Sequence, residues 1–156
     1  MNYTTNTEDF IWEFYNRMGI KTPQQLEYEA IAMQLGIQLY YWKDTSQALF
    51  MKEHKYIFLN EQLTEQQHWQ DFCHELAHIL LHSGHQGHMS PLFREYQENK
   101  ANNFMYHACI PSFMLEELEQ SDTSALTVQH VQQLFNVEYD FAAKRLEQYT
   151  CNKQLF

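Results

Sequence analysis

Glycine and proline are scarce in this chain, four and three among 156 residues, whereas a sandwich or barrel that turns every few residues needs more of both. Long helices are favoured instead. Basic residues are also few: ten Lys and Arg stand against twenty Asp and Glu, a formal charge of −10. No stretch gathers the basic ones into a stripe that could follow phosphates, so direct nucleic-acid binding is not expected. The three cysteines, Cys73, Cys109 and Cys151, are odd in number and include no C-x-x-C pair, which fits a reducing compartment. No apolar run approaches the ~20 residues of a membrane span. The first ten residues carry Glu8 and Asp9 where an export signal needs basic and then apolar residues. A cytoplasmic protein with no membrane partner is the expectation.

What is abundant is core material. Hydrophobic residues make up 44% of the chain and aromatics 15%, enough to close a packed domain and to exclude general disorder. Apolar spacing predicts a helix over Thr7 to Met18, closed by Gly19, and a second from Thr22-Pro23 to Gly36. Three short β-branched or aromatic runs follow, Ile37 to Trp42, Gln47 to Met51 and Tyr56 to Leu59, and read as a small antiparallel sheet. Thr64-Glu65-Gln66-Gln67 fits a capping box that opens a helix running to His82, with Gly84 as its cap. Beyond a loop from His85 to Leu92, a helix from about Arg94 to Cys109 ends before Pro111. A short helix at Phe113 to Glu119 comes next, and then a helical pair, Val128 to Phe135 and Asp140 to Tyr149, around Asn136. With no repeat and no linker, residues 1–156 read as one domain, 1–120 as its core and 121–156 as the C-terminal pair.

His74-Glu75-Leu76-Ala77-His78 is an H-E-x-x-H sequence. Residues four apart on a helix differ by about 40°, so both imidazoles leave from one face and can share a Zn²⁺ ion. Glu75, about 100° round from His74, is placed to take the proton of an attacking water. Nine His and fifteen Glu make the expected number of such pentapeptides roughly 0.05 by chance, against the alternative of two core histidines. A third ligand decides between these. The metzincin continuation fails, because Leu81 and Gly84 stand where Gly and His are needed. A deformylase-like site fails for want of an upstream thiolate on another segment. A carboxylate from the next helix remains: Glu98 shares a face with Ala101, Asn102 and Met105, and Glu95 is the alternative one turn earlier. Asn102 is then suited to orient a ligand histidine from behind. His82, His85 and His88 read as solvated polar positions, Cys73 points elsewhere on its helix, and Tyr96, Tyr106 and His107 are candidates for stabilising an oxyanion.

Taken together, His74-Glu75-Leu76-Ala77-His78, Glu98-Asn99-Lys100-Ala101-Asn102-Asn103-Phe104 and Cys109-Ile110-Pro111 resemble the ImmA/IrrE family of small zinc metallopeptidases. Ala77 and Met105 depart mildly from its usual residues. The resemblance implies an α+β zincin-like fold, mainly helical, with the small three-stranded antiparallel sheet packed on the H-E-x-x-H helix. It implies one Zn²⁺ held by His74, His78 and Glu98, with Glu75 as base. It also implies a site-specific endopeptidase whose partner is a helix-turn-helix repressor of a mobile element, prophage or stress regulon. The rival is a zinc-stabilised antirepressor that sequesters such a regulator without cutting it. By analogy with other zincins, Gln47 to Met51 is expected at the sheet edge beside the cleft.

Overall fold

The computed structural model describes residues 5–81 and 90–155. The elements are α1 (Asn6–Arg17), a 3₁₀ turn (Pro23–Gln25), α2 (Tyr28–Leu35), β1 (Ile37–Trp42), β2 (Gln47–Met51) and β3 (His54–Asn60). They continue with α3 (Glu65–Leu81), α4 (Pro91–Cys109), α5 (Ser112–Ser121), a second 3₁₀ turn (Thr123–Ala125), α6 (Val128–Phe135) and α7 (Tyr139–Leu155). None of the helices in the described residues is long and apolar enough to cross a membrane. Two compact units result: Glu27–Met105, and Met1–Leu26 together with Tyr106–Phe156.

In the unit Glu27–Met105, Gly36 closes α2 at φ 69°, a left-handed conformation that favours glycine, and the chain passes at once into β1. The sheet order is β1-β3-β2, with β2 antiparallel to β3 but β1 parallel to it. The sheet is therefore mixed, not the antiparallel one read from sequence. Its cause is the composition of β3. Ile57 and Leu59 are fully buried, and a strand that apolar is most stable in the centre, so the chain skips a place after β1 and fills it last. The link over residues 43–46 is stitched for that detour: Asn60 Nδ2 donates to the Asp44 carbonyl at 3.0 Å, and the Asn60 N–H donates to Ser46 Oγ at 3.1 Å. Lys52 and Glu53, both at positive φ, then form the two-residue turn that a tight hairpin requires.

Helix α3 opens as predicted: the Gln67 N–H donates to Thr64 Oγ1 and the Thr64 N–H donates to Gln67 Oε1. Trp69, Phe72, Cys73, Leu76 and Ala77 are buried on one face, and the helix packs on β2 and β3. Each large side chain among these contributes about 1.5–3 kcal/mol. His74 and His78 lie on an adjacent face, with Glu75 about 100° round from His74. The cap predicted at Gly84 and the histidines His82, His85 and His88 lie outside the described residues.

In the other unit, a capping box at Thr5 and Glu8 starts α1. The helix predicted from Thr22 to Gly36 is instead a 3₁₀ turn and then α2, because Leu26 leaves the helical region at ψ 79°. The bend at Pro111 leaves carbonyls at the end of α4 without helical partners, and distant side chains supply them. The hydroxyl of Tyr15 donates to the Ala108 carbonyl at 2.7 Å. Arg145 is fully buried; its Nε donates to the Ile110 carbonyl at 2.9 Å and its Nη2 to Ser112 Oγ at 2.7 Å. Burial pulls that guanidinium down to about 10, countered by Glu8 and Tyr149, so it stays charged at neutral pH. Lys144 lies over the Tyr106 ring. Of the three basic residues of the terminal pair, Lys144 and Arg145 are thus engaged in packing and Lys153 pairs with Glu119 at 2.7 Å, and Arg145 is closed to a phosphate. Arg145→Met is expected to lower unfolding stability by about 2–4 kcal/mol, since it strands two buried acceptors. A urea midpoint shifted by less than the experimental scatter would contradict this.

Candidate metal centre

His74 and His78 are one turn apart on α3, and their rings meet edge to face with centroids 5.1 Å apart. Glu98 comes from α4. Its Oε2 lies 2.9 Å from His74 Nε2 and its Oε1 lies 3.1 Å from His78 Nε2. An ionised carboxylate only accepts, so each oxygen takes an N–H from one ring. The histidine side chains are 19% and 14% exposed and the glutamate 38%, so the cluster is reachable from solvent on the glutamate side.

The donor set suits a divalent cation. The three candidate ligand atoms all lie within 4.8 Å of one another, and a tetrahedral ion with bonds of about 2.0–2.1 Å needs donors about 3.3 Å apart. A dication replaces the two protons shared between the rings and the carboxylate, and satisfies all three groups at once. Glu95, the alternative carboxylate, is exposed and outside this cluster.

Glu75 sits next to His74 but on another side of the helix, half-buried. Burial pushes its carboxyl up to about 8; the backbone amide of Ala48 works against that, and the Glu98 and Asp71 charges add to it. A cation bound nearby acts in the opposite direction. Ala48 belongs to β2, which is the sheet edge as expected. Asn102, one turn beyond Glu98, is exposed. Cys73 is buried on the core side of α3. Tyr96 is exposed and stacks on Phe93, while Tyr106 stacks on Phe141 and His107 is buried in the unit that holds both chain ends.

The signature of the Peptidase_M78 family, described as the IrrE N-terminal-like domain, matches residues 32–147. The chain belongs to this peptidase family. Two relatives of Bacillus subtilis (strain 168) agree with that. This M78 chain is 35% identical over 153 residues to the phage-like element PBSX protein XkdA, covering 97% of itself and 77% of that protein. It is likewise 35% identical over 150 residues to the uncharacterized protein YqaB, covering 96% of itself and 87% of YqaB. Among solved structures, a Mycobacterium tuberculosis transcriptional regulator shares the fold at a TM-score of 0.64 and 15% identity. The match takes in 92% of the M78 chain but only about half of that regulator, 47%.

Proposed function

We propose that this protein is a zinc-dependent, site-specific endopeptidase whose substrate is a helix-turn-helix repressor of a mobile element, prophage or stress regulon. The convergence of His74 Nε2, His78 Nε2 and the Glu98 carboxylate carries the reading. A two-imidazole, one-carboxylate set is a catalytic zinc donor set that keeps a position open. A zinc ion held there would supply Lewis-acid chemistry, lowering the pKa of a water and polarising the scissile carbonyl. His74, His78 and Glu98 hold the ion. Glu75 accepts the proton of the attacking water and delivers it to the departing amine nitrogen. The free edge of β2 holds an extended peptide by main-chain pairing. Asn102 supports a ligand histidine from outside the first ring of donors.

Membership of a peptidase family supports hydrolysis, and the phage-like element relative supports a mobile-element setting. Charge adds a term: a DNA-binding regulator presents basic surface and this chain carries −10, so long-range attraction speeds their encounter and salt screens it. Dialysis against a chelator is expected to stop cleavage of a cognate helix-turn-helix repressor, and one equivalent of zinc to restore it, with casein cut negligibly throughout. Cleavage that survives complete metal removal, or broad digestion of casein, overturns the reading.

A further inference from the structure

The edge strand β2, Gln47-Ala48-Leu49-Phe50-Met51, carries neither a charge nor a proline, two devices that commonly close an edge to a further strand. Its register is fixed by the hairpin. The turn at Lys52-Glu53, both at positive φ, makes Met51 and His54 the closing hydrogen-bonded pair. Alternation then gives the ladder bonds to Leu49 and Gln47 and directs the N–H and C=O of Ala48 and Phe50 to the free edge. The same alternation sorts the side chains. Those of Ala48 and Phe50 share the sheet face of their partners Ile57 and Lys55, while Leu49 and Met51 take the opposite face with Tyr56 and His54. The Ile57 face is the one turned to α3. Ile57 and Leu59 are fully buried there, and Tyr41, the register partner of Leu59, meets His68 of α3 edge to face with ring centroids 5.3 Å apart. Phe50 therefore stands on the face of the metal-centre helix, and it is 62% exposed.

We propose that Phe50 is a specificity-determining residue: a substrate strand pairs antiparallel with the Ala48 and Phe50 main chain, and the substrate residue opposite Phe50 is a large apolar one that lies against its ring. This rests on the reading of the β2 edge as the substrate strand site. Directly opposite residues of an antiparallel pair put their side chains on one face, with Cβ atoms about 4.5–5.5 Å apart. The residue opposite Phe50 is thereby aimed to the α3 side. There it covers a ring otherwise open to water, which favours Leu, Ile, Met or Phe and disfavours a group that must give up its hydration. Ala48, with only a methyl on the same face, accommodates whatever stands opposite it. Lys55 is the competing determinant: it is the register partner of Phe50 on that face, and selection by its ammonium favours Asp or Glu instead.

Peptide binding tests this without turnover. The probes are acetylated, amidated Thr/Lys decapeptides with a single central Leu, Ser or Glu, added to the zinc-loaded Glu75→Gln form of the full chain. The Leu peptide is expected to slow amide exchange at Ala48 and Phe50 and to bind about 5- to 30-fold more tightly than the other two. Phe50→Ala in the same background should bring the Leu and Ser affinities within about twofold, and Leu49→Ala, on the opposite face, should leave their ratio unchanged. A ratio that survives Phe50→Ala, a Glu peptide bound most tightly, or no protection at Ala48 and Phe50 with any of the three overturns the proposal. The cleavage profile of the otherwise unaltered protein on a randomised decapeptide library is the second readout. It should show one apolar position whose preference Phe50→Ala removes. Cleavage with no preference that depends on Phe50 refutes the selection and leaves the peptidase reading standing. Phe50-dependent binding in a protein that cuts no peptide upholds the strand site and refutes only the peptidase reading.

Discussion

Glu75→Gln is expected to lower kcat for repressor cleavage by about 10²- to 10⁴-fold, the range lost with a general base, while leaving fold and metal content unchanged. The amide has the shape of the carboxylate, so the local packing survives. A neutral group also suits a position where burial already pushes the acid up to about 8. What the amide lacks is a basic oxygen to take the water proton. Steady-state rates, with zinc content and melting temperature recorded on the same preparation, check this. Full relief of repression by the Glu75→Gln variant without cleavage would instead establish sequestration.

Glu98→Ala is expected to weaken zinc binding by more than the about 10- to 100-fold that the loss of an outer partner costs, and to abolish cleavage. The reason is the double role of that carboxylate. It meets both imidazoles, at 2.9 and 3.1 Å, so its removal takes away a ligand and the group that holds the two rings convergent. Zinc at 100 times its Kd stabilises a folded protein by about 2.7 kcal/mol, and that increment should vanish from the Glu98→Ala variant at the same zinc concentration. Chelator competition and thermal melts measure both. Glu95→Ala, at an exposed position outside the cluster, should match the wild type, and Asn102→Ala should fall between the two. Equal and small losses for Glu98 and Glu95 contradict the ligand assignment.

The convergence of His74, His78 and Glu98 was legible because helical periodicity is rigid: four residues bring two rings to one face, and the next helix offers a carboxylate at Glu98 that meets both. The edge position of β2 was legible from zincin analogy. The parallel pairing of β1 was not, since short apolar strands carry no sign of the order in which a sheet is filled; that order depends on β3 burying Ile57 and Leu59. The break between the 3₁₀ turn and α2 was hidden as well, because it rests on the backbone of Leu26 and not on a glycine or proline. Gln97 shows the same limit. It is buried with Ala101 and Phe104, while Asn102 is exposed, so the inward face of α4 lies beside the Glu98 face and not on it.

Intact-mass spectrometry of a candidate helix-turn-helix repressor, incubated with the zinc-loaded protein and in parallel with its Glu75→Gln variant, is the most direct measurement. The expected result is two fragments whose masses sum to that of the repressor plus one water, formed by the wild type and not by the variant. A repressor that stays intact with the zinc-loaded wild type, or that is cut equally by both proteins, would contradict a peptidase acting through Glu75.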